Sequence, residues 1–344
     1  MNESAANGRD ESAQRDHPRV TVIVPTYNRA HTLGGTLDTI LAQDYPADRL
    51  EVIVVDNSST DNTEGVVRAA AARSPFPVKF YRKENKGPAA SRNLAIREAT
   101  GDVLAFTDSD CSLPRDWVRR GAELMADGVG LVAGPVRPFN HPDRIPSFFA
   151  HQTNHSREDF IYATANVFYR RDVVAGIGGF NENYGAYPWG LPVGGEDTDL
   201  AWRVKRAGFR SVYAEDNPVF HEATTVSVGN WLIEPIRAQI MPQLVKEFPE
   251  LRAGLWNRYF LSRGSAFFYL LLAGVAGGLV TRKPGALLLT VPWLLDQAPM
   301  ISRDVGKPKR WWRIPVKYGL MTERYLLQTA ASVFSSIRHK TPVL

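Results

Sequence analysis

The chain has 344 residues, 44% of them hydrophobic, with 41 Lys/Arg against 36 Asp/Glu and a net charge of +5. That length supports one sizeable core plus an appendage. A single cysteine, Cys111, excludes an intramolecular disulfide framework and fits a reducing compartment.

The charge is unevenly placed. Residues 237–344 hold 16 Lys/Arg and 5 Asp/Glu, a net of +11, which leaves −6 for residues 1–236. A basic tail on an acidic body points to an anionic surface as partner. No helix-turn-helix, zinc-finger or similar motif accompanies it, so nucleic acid is not expected as a partner.

Residues 1–18 are polar and charged, and read as a disordered tail. They hold no apolar run of the kind a secretory leader needs, so the catalytic portion is expected in the cytoplasm. VTVIVP at 20–25 is the first strand, followed by the loop Thr26–Arg29 and a helical pattern through Leu33, Leu37, Ile40 and Leu41. Residues 52–55 make a second strand ending in Asp56, after which Ser59 or Thr60 with Asp61 is expected to cap a helix. Residues 78–82 form a third strand, 88–99 a helix carrying Ser91, Arg92 and Asn93, and 103–107 a fourth strand. Near-continuous Val/Ile strands alternating with helices predict a mostly parallel sheet covered on both faces.

The fourth strand ends in Asp108-Ser109-Asp110. Two adjacent carboxylates repel unless a cation sits between them, and hard oxygen ligands suit Mg²⁺ or Mn²⁺. In open α/β sheets the ligand lies beyond the carboxyl ends of the strands. Pro25-Thr26-Tyr27, Asp56 and Asp108/Asp110 all fall at such ends, so three distant stretches converge on one crevice. The first loop has neither a Gly-x-Gly-x-x-Gly turn nor a Gly-Lys-Ser/Thr loop, which removes the phosphate cradles of dinucleotide dehydrogenases and P-loop enzymes. Phosphates must then be handled by a metal at the aspartate pair, with help from basic side chains such as Arg92.

The blocks VTVIVPTYNRAHTLGGTLDTIL, LEVIVVDNSSTDNT, NKGPAASRNLAI, GDVLAFTDSD, GIGGFNEN and GGEDTDLAWRVKRAGFR, in that order over residues 19–225, resemble the family 2 inverting glycosyltransferases of the GT-A fold. The resemblance implies a nucleotide-sugar donor, a divalent metal and a GT-A domain over 19–235. It implies that Pro25, Thr26, Tyr27 and Asp56 hold the nucleoside, with Arg92 and Ser109 nearby. Asp108 would face the ribose and metal, Asp110 would bind the ion directly, and His221 stands where some members supply a histidine to it. Asp197 matches the general base, with Glu196 as the alternative. A nucleotidyltransferase also uses aspartate-held metal, but TYNRAH is a poor triphosphate loop. A scaffold without activity is the third reading.

Glu196 and Asp197 follow Gly194-Gly195 and open a helix, where carboxylates also suit the helix dipole. The small residues around Gly179 and Phe180 would let backbone approach a sugar. Tyr184, Tyr187, Pro188 and Trp189 are candidates to stack on an acceptor, and Asn166 is a further acceptor candidate.

Residues 236–344 are expected to be helical and membrane-associated. The stretch 264–281 is uncharged, Arg282-Lys283 interrupts, and 284–295 is again uncharged. The first run barely reaches spanning length. A full hairpin with a cytoplasmic catalytic domain would place Arg282-Lys283 outside, against the positive-inside tendency. A re-entrant or in-plane hairpin over 264–300 is therefore favoured over two tilted spans or a buried soluble pair. The basic, aromatic segment 307–313 suits the headgroup level, and 315–337 shows the spacing of an interfacial amphipathic helix. Together these readings predict an inverting transferase on the cytoplasmic face of the membrane, with a glycan or lipid-linked acceptor.

Overall fold

A computed structural model describes residues 17–139, 150–151, 153–155, 161–184, 194–303 and 313–344. Most of the expected tail, Tyr187, Pro188 and Trp189, and residues 307–312 of the basic segment lie outside the described residues.

The elements follow in chain order. The first half holds β1 (Val20–Thr26), α1 (Ala30–Leu41), β2 (Leu50–Asp56), α2 (Thr63–Ala71), β3 (Val78–Arg82), α3 (Gly87–Glu98) and β4 (Val103–Phe106). Next come β5 (Cys111–Ser112), α4 (Trp117–Glu123), β6 (Val129–Ala133), β7 (Val136–Phe139), β8 (Ala150–His151), β9 (Val167–Arg170) and α5 (Arg171–Gly176). Then α6 (Glu196–Arg206), β10 (Arg210–Tyr213), β11 (Val219–Glu222) and β12 (Thr224–Thr225) complete the sheets. The rest is helical: α7 (Val228–Ile233), a 3₁₀ turn at Glu234–Gln239, α8 (Ile240–Glu247), α9 (Arg263–Thr281), α10 (Val291–Arg303) and α11 (Arg313–His339).

The main sheet runs β10-β6-β9-β4-β1-β2-β3. β9 is antiparallel to β4 and β6, and the other neighbours are parallel. Two apolar layers explain why the strands read as unbroken hydrophobic runs. Ile23, Ile53, Val55, Leu104 and Phe106 face one layer with α3 and α6, while Val22, Val24, Val52, Val54 and Ala105 face the other with α1 and α4. Successive side chains point to opposite faces, so both sets must be apolar. The chain leaves β1 toward β2 and β3, then returns to β4 on its other side. The strand order reverses there, and the crevice beyond β1 and β4 is where such sheets bind ligand.

One cap differs from expectation. Ser59 and Thr60 do not cap α2, whose N-cap is Asn62 without a side-chain bond. Instead the Asp61 carboxylate accepts from Thr63 N and from Ala30 N, at 2.9 Å for the latter. One carboxylate thus serves the starts of two helices, a tertiary use that local spacing does not show.

The C-terminal helices build a small core of their own from Trp231, Phe268, Trp293 and Met321. Their far end joins the main core: Val343 is fully buried in the layer with α6 and α8, and the Leu344 backbone pairs with Leu261 and Tyr259. The 3₁₀ turn runs across residue 235, so the helical part continues directly from the sheet domain.

Candidate active site

A cleft of about 810 Å³ opens beyond the ends of β1 and β4. Pro25, Thr26, Tyr27, Arg92, Asp108, Ser109, Asp110 and His221 line it. The loop after β1 is stitched to the loop after β2, which holds the cleft's mouth in shape. Asn57 N donates to Thr26 O at 2.9 Å, Asn28 N donates to Ser59 Oγ at 2.8 Å, and Thr60 N donates to Asn28 Oδ1 at 2.7 Å. Asn28 takes a positive φ of 50°, which asparagine tolerates in tight turns. Tyr27 stands half-exposed beside this frame, an aromatic face with room for a base.

Asp56 is placed differently from its neighbours. It is 1% exposed and does not line the cleft. Its Oδ1 accepts from Ser59 N at 2.9 Å, closing the turn, and its Oδ2 has no hydrogen bond but lies 3.6 Å from Arg82 Nε. One oxygen is therefore structural, and the second is ion-paired with Arg82 without a hydrogen bond.

Asp110 is buried at the end of the β4 loop, and His221 Nε2 lies 3.3 Å from its Oδ1 and 3.9 Å from Asp108 Oδ2. The antiparallel pairing of β5 with β11 sets Cys111 opposite His221 and so brings the histidine to the aspartates. Burial, with Asp108 adding to it, pushes the Asp110 carboxyl above its ordinary value, while His221 and Arg29 oppose the rise. Two close carboxylates and an imidazole, mostly out of water, form a donor set that a divalent cation would satisfy. Cys111 lies within the same cluster, but burial holds its thiol well above the usual range. The oxygen and nitrogen donors suit Mn²⁺ or Mg²⁺ and leave the sulfur as packing.

Arg92 is the hub between the aspartates and α6. Only 6% exposed, it lies 3.0 Å from Glu196 Oε1 and 3.8 Å from Asp108 Oδ1, and its Cζ stands 5.5 Å from the Phe180 ring centroid. It is not a surface ion pair. Glu196 is held by this arginine, which leaves the neighbouring Asp197 as the freer carboxylate. Asp197 shares a helix face with Leu200, Ala201 and Val204, all buried, so it points inward. Burial, then the charge of Glu196, raises its carboxyl from 3.8 to about 6, against the pull of Arg92.

Three acceptor candidates are corrected by the structure. Asn166 is fully buried, and its amide is spent on Trp117 Nε1, Pro135 O and Asn217 O at 2.8, 2.9 and 2.8 Å. Phe180 is a core side chain packed edge-on against Phe106 and beneath Arg92. Gly179 has a φ of +70°, and a Cβ there would lie 2.6 Å from Asn93 Oδ1. Asn93 and Arg203 clamp this segment through Phe180 N and O, Ile177 O and Gly179 O. Gly179 is tight because it packs against Asn93, whereas a Cβ at Gly176 or Gly178 would meet open space.

The cleft also has lining residues to which the sequence reading gave no role. Arg29, Asn57 and Asn85 line it from the sheet side, and Asn230, Ile233, Glu234 and Arg237 line it from α7 and the turn that follows. The latter are far from the aspartates in sequence, and no spacing ties them to the site.

The model described as glycosyl transferase family 2 matches residues 21–179, and that of glycosyl transferase family group 2 matches residues 103–295. This chain belongs to the family 2 glycosyltransferases. The mannosyltransferase PcManGT of Pyrobaculum calidifontis, solved with GDP-Man and Mn²⁺, superposes with a TM-score of 0.55 at 26% identity, covering 92% of this chain and 87% of that one. The glycosyltransferase AglE of Haloferax volcanii is 34% identical over 209 residues, 58% of this chain and 65% of its own. The poly(ribitol-phosphate) β-N-acetylglucosaminyltransferase TarS of Staphylococcus aureus is 33% identical over 107 residues, 31% of this chain and 19% of its own. The match thus spans less than two thirds of either curated family member. The central sheet has the GT-A arrangement of the family, and the helical region follows it.

Proposed function

We propose that this chain transfers a sugar from a nucleoside-diphosphate donor to a hydroxyl acceptor by single displacement with inversion. The observation that carries the reading is an Asp108/Asp110/His221 cluster lining the cleft at the end of β4, bridged by Arg92 to Glu196, which precedes Asp197 at the start of α6. Tyr27 and the stitched loops take the nucleoside end. Asp108, Asp110 and His221 would hold a divalent cation, which would offset the charge that gathers on the departing diphosphate. The acceptor oxygen forms its bond to the anomeric carbon as the bond to the diphosphate oxygen breaks. Asp197 takes the acceptor's proton, and a carboxyl near 6 is ionised and basic enough to do so at neutral pH. The likeness to a GDP-Man- and Mn²⁺-bound mannosyltransferase supports a nucleotide-sugar donor and Mn²⁺ without choosing the sugar.

The helical region is read as the membrane attachment, on the cytoplasmic face. α9 is 19 residues long and apolar enough to cross a bilayer, the one such helix among the described residues. Leu279 and Val280 at its end are 76% and 84% exposed, and Leu287, Leu288, Leu289 and Leu295 of the returning segment are exposed with them. Contiguous apolar surface of this kind marks a partner phase, and Arg282 and Lys283 beside it suit anionic headgroups. An in-plane or re-entrant hairpin would bring a lipid-linked acceptor to the cleft.

Thermal stabilisation by UDP, GDP and dTDP, each with Mn²⁺ or chelator, tests the donor site. One nucleotide should raise Tm only with metal, and Asp110→Ala should abolish the shift. A shift of equal size in Asp110→Ala would refute the metal assignment.

A further inference from the structure

The wall of the cleft formed by Asn230, Ile233, Glu234 and Arg237 comes from a six-residue helix and a 3₁₀ turn. Segments this short do not hold their own position, so something behind them must. Trp231 points the opposite way from the cleft, buried in the small core with Phe268 of α9, Trp293 of α10 and Met321 of α11. Arg324 of α11 grips the segment at three points. Its Nη1 donates to the Trp231 carbonyl, its Nη2 lies 3.2 Å from Glu234 Oε2, and its Cζ stands 4.0 Å from the centroid of the Trp231 ring. Farther along α11, Ser335 donates to Gln239 O at the end of the turn. Glu234 therefore faces two ways, lining the cleft and answering a cation on the outer helix.

We propose that Arg324 is a positioning residue for donor binding, fixing the C-terminal wall of the nucleotide cleft from its far side. This rests on the donor reading above and adds that the helical region is part of the site as well as an attachment. A guanidinium can stack on an indole and donate to a carbonyl and a carboxylate at once; an ammonium cannot hold all three. The helix that carries Arg324 also packs against the hairpin, so wall and attachment share one scaffold.

The test is calorimetric binding of UDP, GDP and dTDP with Mn²⁺ to the full chain in detergent, for wild type, Arg324→Ala, Arg324→Lys and Asp110→Ala, with the ligand-free Tm of each. Loss of a charge-assisted grip predicts about tenfold weaker binding by Arg324→Ala. Arg324→Lys, which keeps the charge but not the fork, is expected to keep the wild-type Tm and still bind more weakly. In turnover the donor KM should rise while kcat holds. Wild-type affinity in Arg324→Ala alongside lost affinity in Asp110→Ala would overturn this proposal and leave the donor reading standing. If Arg324→Ala does not fold, wild-type affinity in Arg324→Lys overturns it. If wild type itself binds none of the three nucleotides, both readings fall.

Discussion

Asp197 is a carboxylate on the inward face of a helix, and its environment makes two predictions at the scale of a single residue. As the proton acceptor it should be indispensable: Asp197→Asn should lower transfer by about 10²–10⁴-fold while nucleotide binding persists. As a desolvated charge it should cost stability. Its carboxyl titrates at about 6 in the fold against 3.8 outside it, so the unfolded chain releases this proton first as pH rises. The cost is absent below the lower value, grows through the window between them, and is constant above, at roughly 2–3 kcal/mol. Asp197→Asn should therefore melt higher than wild type at pH 7, with the difference vanishing near pH 4. The acid limb of the wild-type kcat profile should fall near 6. An Asp197→Asn variant that melts lower at every pH would contradict the placement of this group.

At the scale of elements, the site depends on how segments are tied together. Asn166, just before β9, bonds Trp117 at the start of α4 and the carbonyls of Pro135 and Asn217. Truncating it strands a buried indole N–H and the Asn217 carbonyl, while Pro135 O keeps its bond from Val219 N, so Asn166→Ala should cost about 2–4 kcal/mol in denaturant unfolding and leave the acceptor KM of the folded fraction unchanged. A raised acceptor KM with intact stability would return Asn166 to the acceptor site. The hairpin shows the same economy of packing. A Cβ at Gly274 of α9 would lie 2.9 Å from Ala286 O, so this glycine lets the return segment lie close along the helix. The first-strand block, the Asp108-Ser109-Asp110 loop and the Glu196-Asp197 helix start were legible because each pairs a periodic apolar pattern with an abrupt polar end. Asn166 and Phe180 misled because polarity and aromaticity beside a motif read alike whether the group faces a ligand or the core.

For the whole molecule, the charge imbalance and the uncharged run at 264–281 set the C-terminal third apart from the sheet domain, and the structure gives that run as one long apolar helix. Its exposed leucines and Val280 carry a prediction. Leu279→Asp with Leu288→Asp should release the chain from vesicles containing anionic lipid, measured by flotation, while UDP or GDP binding with Mn²⁺ is retained. Flotation unchanged by the pair would place the lipid contact elsewhere. Removing residues 237–344 is a poorer experiment. Val343 fills the main core and Arg252 is tied to Pro342 O, so truncation would open the domain itself.

By itself the sequence determined the alternation of strands and helices, the strand ends that gather the aspartates, and the family, because these depend on local periodicity and on motif order along the chain. Only the tertiary structure decided how the parts meet. It set His221 against Asp110 through the pairing of β5 with β11, buried Arg92 between Asp108 and Glu196, and spent Asn166 on the scaffold. It also brought α7 and its following turn round to close the cleft, held there by Arg324. Such contacts join residues far apart in the chain, and what fixes them is the packing of whole elements and the need of each buried polar group for a partner.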